Sequence, residues 1–128
     1  MTPRHVELAA GRWQSLSLLE QLANLGSEVE RAIGWASKGN PEYSRMALER
    51  GLELLDLTIA DPKHRRRLKE LTRLREVLLD YFVGENLFCS SESNWRSYFG
   101  AYGMAAAIRR QSSRPAAGTG ALTKEGRR

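Results

Sequence analysis

From Ser15 onward the apolar residues of this chain recur in alternating steps of four and three. Leu18, Leu22, Leu25, Val29, Ala32 and Ala36 form the first such series. This spacing lines one face of a helix that packs in a bundle. Leu48, Leu52, Leu55 and Ile59 repeat it, followed by Leu71, Leu74, Leu78 and Tyr81, and then by Trp95, Phe99, Tyr102 and Ala106. Four stripes of one period predict four helices and an all-α fold.

Local signals divide the stripes at consistent places. Ser17, with Glu20 three residues on, reads as a capping box at the start of the first helix, and Gly39 with Asn40 reads as its end. Asn40-Pro41 and Asp61-Pro62 are both an Asx N-cap followed by proline in the first turn, where the missing N–H costs nothing. The link between the second and third helices is therefore very short, and so tight a connection predicts antiparallel neighbours. Gly84 marks the end of the third helix, a loop spans 85–90, and the fourth helix begins near Ser91. Helices of about 17–23 residues would be ~25–35 Å long. Matched lengths and short loops predict an antiparallel up-down-up-down four-helix bundle over residues 15–110. A mixed N-terminal arm over 1–14, docked through Val6, Leu8 and Trp13, precedes it. Residues 111–128, QSSRPAAGTGALTKEGRR, lack any period and read as a disordered basic tail.

One seam does not use all the apolar residues. Leu19, Leu54, Leu57, Val77, Leu79, Phe82, Met104 and Ile108 lie off the stripes. They either widen the core, as globular helices require, or form the interface of a homo-oligomer.

Charge adds a polarity that the stripes do not show. The net charge is +5, and from Arg109 onward Arg109, Arg110, Arg114, Lys124, Arg127 and Arg128 stand against Glu125 alone. The body before them is neutral. A second concentration, Lys63, His64, Arg65, Arg66, Arg67 and Lys69, falls on the expected first two turns of the third helix. Cations there oppose the helix dipole by ~0.3–1 kcal/mol each. Such a cluster suits an anion that meets both side chains and free N–H groups. The competing reading is that Asp56, Asp61 and Glu70 absorb these charges in surface pairs. Together the cluster and the tail point to an RNA or DNA backbone, bound without sequence preference and with strong salt dependence. Ile59-Ala60-Asp61-Pro62 is a reversal rather than the turn of a helix-turn-helix, so base-edge reading is not expected.

Catalytic and cofactor chemistry finds little purchase. The only histidines are His5 and His64, and neither follows a glutamate by three residues, so a di-iron bundle site is not expected. Cys89 is the single cysteine, read as a small, at least partly buried thiol rather than a nucleophile. The carboxylates Glu28, Glu30, Glu49 and Glu53 read as a solvated face, and Gly118-Thr119-Gly120 precedes no helix. The expectation is no metal, no cofactor and no enzyme activity. No apolar run reaches the ~18 residues that span a bilayer, and His5, Glu7 and Arg12 interrupt any signal-peptide core. The expected setting is the cytoplasm.

Leu22-Ala23-Asn24-Leu25-Gly26-Ser27-Glu28-Val29-Glu30-Arg31-Ala32-Ile33, then Lys38-Gly39-Asn40-Pro41-Glu42-Tyr43-Ser44 and Ala47-Leu48-Glu49-Arg50-Gly51-Leu52-Glu53-Leu54, carry a further signal. The layout is a helix ending in a small and acidic segment, a polar turn with a basic residue, and a long leucine-rich helix. It resembles the small bacterial four-helix-bundle superfamily that contains proteins encoded in ribosomal RNA intervening sequences and the accessory variability proteins of diversity-generating retroelements. The resemblance covers the central two-thirds of the chain and is one of pattern. It implies an oligomeric, non-catalytic bundle that binds nucleic acid and partners a reverse transcriptase. The neutral body departs from that pattern and shifts the expected contacts to Lys63, Arg65, Arg66, Arg67, Lys69 and the tail. The alternative from another class is a scaffolding bundle whose exposed apolar residues grip a partner helix.

Overall fold

A computed structural model describes residues 9–113 of the chain. Among these residues every regular element is helical. A short π-helical turn, Ala9–Trp13, precedes α1 (Leu18–Ser37) and α2 (Pro41–Ala60). A 3₁₀ turn, Pro62–Arg67, leads into α3 (Leu68–Phe82), and α4 (Glu92–Ser113) follows.

The caps read from the sequence form as hydrogen bonds. Ser17 Oγ accepts from Glu20 N–H at 3.2 Å, and Glu20 Oε1 accepts from Ser17 N–H at 3.0 Å. At the other end of α1, Gly39 takes φ +79°. That left-handed turn lets Asn40 N–H reach Trp35 C=O and Gly39 N–H reach Ala36 C=O, the paired bonds of a Schellman motif. Asn40 then caps α2 by accepting from Tyr43 N–H at 3.0 Å. One short segment closes one helix and opens the next.

All four helices contribute to one core. Leu22, Leu25, Val29 and Ile33 of α1 meet Leu55 of α2, Leu71, Leu74 and Leu78 of α3, and Trp95 and Phe99 of α4. Most stripe residues are buried there; Ala36 is exposed, and the off-stripe Ile33 is buried instead. Pairings between elements follow a consistent order. Ser44 Oγ donates to Ala32 C=O at 2.7 Å, and Arg50 Nε lies 3.3 Å from Glu28 Oε1. Arg96 pairs with Glu30 at 3.0 Å, and Arg75 with Asp56 at 2.7 Å. Early residues of α2 and α4 thus lie beside late residues of α1, and the middle of α3 beside the later part of α2.

Helix α4 comes close against α1 at Gly26, where an added Cβ would lie 2.7 Å from Phe99 Cβ. The Phe99 atom in the way is its Cβ, which the backbone fixes, so no rotamer change relieves the clash. Gly26→Ala is expected to destabilise the fold by up to about 2 kcal/mol, because overpacking of ~1–3 kcal/mol outweighs the ~1 kcal/mol gain in helix propensity. Urea denaturation reads this directly. The matched control is Gly34→Ala, where nothing lies within 4 Å, and it should stabilise.

Much of the apolar surplus has a use. Trp13 and Leu54 are buried together, with Leu16 and Leu57 packed around them. The second helix therefore carries one stripe for the core and another for the arm. Val77 and Phe82 close over the main core. Met104 and Ile108 remain exposed.

Three expectations change. The basic cluster does not open an α-helix: residues 62–67 form a 3₁₀ turn with a kink at His64 (φ −103°, ψ 20°), and α3 starts only at Leu68. Eclipsed side chains and poorer bonds keep such turns short. The fourth helix continues to Ser113 instead of ending at Arg110. Cys89 is exposed rather than buried, with φ +56°. Of the expected arm docking, Trp13 is as described, whereas Val6 and Leu8 lie outside the described residues. Among the described residues no helix is long and apolar enough to cross a membrane.

Candidate nucleic-acid interface

The 3₁₀ turn sorts its basic residues into two groups. Asp61 caps the turn by accepting from Lys63 N–H at 3.1 Å. The Lys63 ammonium then donates to Gln14 C=O and to Leu16 C=O, the latter at 2.9 Å, and lies 3.5 Å from Asp61 Oδ2. Lys63 is therefore a clamp on the chain leading into α1, not the open phosphate contact expected of it. Arg67 is engaged as well: its Nε and Nη2 lie 2.8 and 2.7 Å from Glu70 Oε1, and that charge-assisted pair holds its guanidinium above the usual arginine range. Glu70 Oε2 also accepts from Tyr98 and Tyr102 at 3.3 and 3.2 Å. Burial pushes the Tyr98 phenol up, with Tyr102 and Glu70 adding to the shift.

Arg65, Arg66 and Lys69 are different. All three are exposed, and among the described residues their side chains form no hydrogen bond or ion pair. The acids expected to absorb the cluster go elsewhere: Asp56 to Arg75, Asp61 to Lys63, and Glu70 to Arg67. Three cations are left open to solvent on the turn and the first turn of α3.

The later turns of α4 lie toward the same end. Tyr102 touches Glu70 in the first turn of α3, and α4 then runs on to Ser113, about 16 Å farther at 1.5 Å per residue. Arg109 and Arg110 lie on that extension. Arg114, Lys124, Arg127 and Arg128 lie outside the described residues.

His64 has a separate task. It is buried, and its Nε2–H donates to Gln21 Oε1 at 2.7 Å. Gln21 Nε2 donates to Trp13 C=O at 2.8 Å, Trp13 Nε1 donates to Thr58 Oγ1 at 3.0 Å, and Thr58 Oγ1 donates to Leu54 C=O at 2.9 Å. The chain of bonds locks the 3₁₀ turn, α1, the arm and α2 together, which fixes where Arg65 and Arg66 stand. Burial lowers the His64 pKa, aided by Lys63 and Arg67 and opposed by Asp61. A histidine whose folded pKa lies below its unfolded value near 6.5 binds fewer protons when folded, so its contribution is full above that pH and is lost as pH falls below it. Thermal midpoints should therefore fall between pH 7.5 and 5, and His64→Gln should flatten this dependence. An unchanged profile would show that another group governs it.

Two features of α3 went unread in the sequence. Arg73 stands one turn after Lys69, and its guanidinium sits 4.7 Å from the centre of the Phe88 ring. It lines both a depression formed with Lys69, Thr72, Arg75 and Glu76 and an aromatic cleft that includes Glu70, Phe88, Trp95 and Tyr98. The spacing of Lys69 to Arg73 continues the basic face, and helical periodicity could have shown it. Among the described residues no group of three or more His, Cys, Asp or Glu could hold a metal ion. No protein-family model matches the chain, and neither a curated protein nor a solved structure matches it.

Proposed function

We propose that the chain is an antiparallel up-down-up-down four-helix bundle that binds the phosphate backbone of RNA or DNA and has no catalytic role of its own. One observation carries this: Arg65, Arg66 and Lys69 stand exposed and, among the described residues, unneutralised, at the end toward which α4 carries Arg109. A body of balanced charge that leaves three cations open at one place suits a polyanion better than a general need for solubility. The order of pairings between neighbouring helices supports the antiparallel arrangement. In keeping with the superfamily resemblance, we extend the proposal to a cytoplasmic homo-oligomer that acts with a reverse transcriptase.

Filter binding of the full chain to structured RNA and to duplex DNA tests the reading. Affinity is expected to fall steeply between 50 and 200 mM salt, with a log–log slope of roughly −3 to −6 for that many phosphate contacts. Absence of binding at low salt would overturn it.

A second reading has its own observation. Met104 and Ile108, one turn apart on α4, are 68% and 58% exposed. A scaffold that grips an apolar partner would present such a pair. Light scattering at low salt and at about 0.5 M salt separates the two readings, since apolar association persists while phosphate binding is screened.

A further inference from the structure

We infer that the cleft between α3, α4 and the 83–91 loop takes a single unpaired nucleobase, with the adjoining phosphates on the Lys69 side of Arg73; this rests on the phosphate-binding reading above. The cleft encloses about 400 Å³ between Leu74, Val77, Trp95 and Tyr98, with Phe88 and Arg73 at its mouth. That is near the low end of the ~300–1,000 Å³ of small-ligand sites. It has room for one flat ring and none for a duplex.

The aromatic lip is held in place rather than left over. Asp80 accepts from Leu87 N–H at 2.7 Å and from Phe88 N–H at 3.0 Å. Asn86 brackets Ser90 from both sides, accepting from its N–H at 2.8 Å and donating to its C=O at 2.9 Å. Asn86 and Cys89 both take φ 56°, a left-handed conformation that costs a non-glycine residue roughly 1–2 kcal/mol. A loop so constrained keeps the Phe88 ring 47% exposed, with the Arg73 guanidinium against it. An exposed ring beside a guanidinium is the stacking surface that single-stranded nucleic acids use.

Trp95 forms part of the cleft wall. Trp95 is 5% exposed, and its buried indole N–H has no hydrogen-bond partner among the described residues. Arg73 lines both the cleft and the Lys69 depression. A strand crossing it would lay phosphate on one side and a base on the other.

The test compares three probes of similar charge on the full chain by fluorescence anisotropy: a labelled six-nucleotide single strand, an all-abasic strand of equal length, and a duplex. The base-containing strand should bind about 5- to 150-fold more tightly than the abasic one, the range for stacking one base. Phe88→Ala should abolish that preference while leaving duplex binding unchanged; its loop keeps every main-chain bond described above. Adenosine monophosphate provides a second readout through the indole N–H resonance of Trp95, assigned with Trp95→Phe. A shift that Phe88→Ala removes supports the cleft. Equal binding of abasic and normal strands, with a static Trp95 resonance, overturns the cleft and leaves the phosphate reading intact. Failure of all three oligonucleotides alongside a shifting resonance overturns the phosphate reading and leaves the cleft intact.

Discussion

Gln21→Leu is expected to remove about 2–5 kcal/mol of stability, although it replaces a polar residue in an apolar surround with a better hydrophobe. Gln21 is completely buried, and both ends of its amide are bonded, to His64 Nε2–H and to Trp13 C=O. Leucine fills similar volume but strands both partners, and each stranded buried group costs ~1–3 kcal/mol. Against a total of ~5–15 kcal/mol for a domain of this size, that is a large loss. It should lower the thermal midpoint by roughly 10–20 °C. The pairing Gln21→Leu with His64→Leu separates stranded polarity from poorer packing. Removing both partners of one bond should cost less than the sum of the single variants, a coupling read in a double-mutant cycle. The Trp13 carbonyl stays unpaired in Gln21→Leu and in the double variant, so the recovery should be partial. Trypsin provides an independent measure, because Arg12 adjoins Trp13: cleavage there should accelerate in Gln21→Leu. Unaltered stability would mean that the Gln21 bonds are ornamental and that Trp13 is held by its apolar neighbours and by Thr58.

This network also marks the boundary of what was legible in the sequence. The capping box at Ser17, the Asx-Pro starts and the four stripes were readable because each is set within a few residues of chain. Gln21 was not, because its meaning lies at Trp13 and His64, and the His64 contact spans 43 residues of sequence. Beside Leu22, a glutamine reads as surface. The same holds for the basic cluster. Its composition was visible, but its division into engaged Lys63 and Arg67 and open Arg65, Arg66 and Lys69 depends on carbonyls of the arm and on Glu70, which two tyrosines from α4 also hold. The π-helical turn and the 3₁₀ start of α3 have no periodic signature of useful length. Phe88 escaped notice for a similar reason. A lone aromatic in a Gly/Asn/Ser loop carries no pattern, and only Asp80 reaching up from α3 makes it a fixed surface.

That division predicts an ordering among arginine variants that a uniform basic patch would not produce. Arg65→Gln with Arg66→Gln should flatten the log–log salt slope by about 2, at roughly 0.9 for each phosphate no longer neutralised. By the same relation, affinity at 50 mM salt should fall by roughly 10- to 100-fold. Arg67→Gln should change the slope little, since its guanidinium already neutralises Glu70 at 2.7 Å and only a rearrangement would free it for phosphate. Lys63→Gln should act through stability, loosening the Gln14 and Leu16 carbonyls it clamps, with the slope preserved. Stability should be nearly indifferent to the Arg65/Arg66 pair, because neither side chain makes a bond among the described residues, so a binding defect there is separable from misfolding. If instead all four substitutions reduce the slope equally, the charge acts as a diffuse cloud and the 3₁₀ turn has no privileged role. If Arg67→Gln alone reduces it, the phosphate displaces Glu70 on binding, and Tyr98 and Tyr102, freed from that carboxylate, become part of the interface.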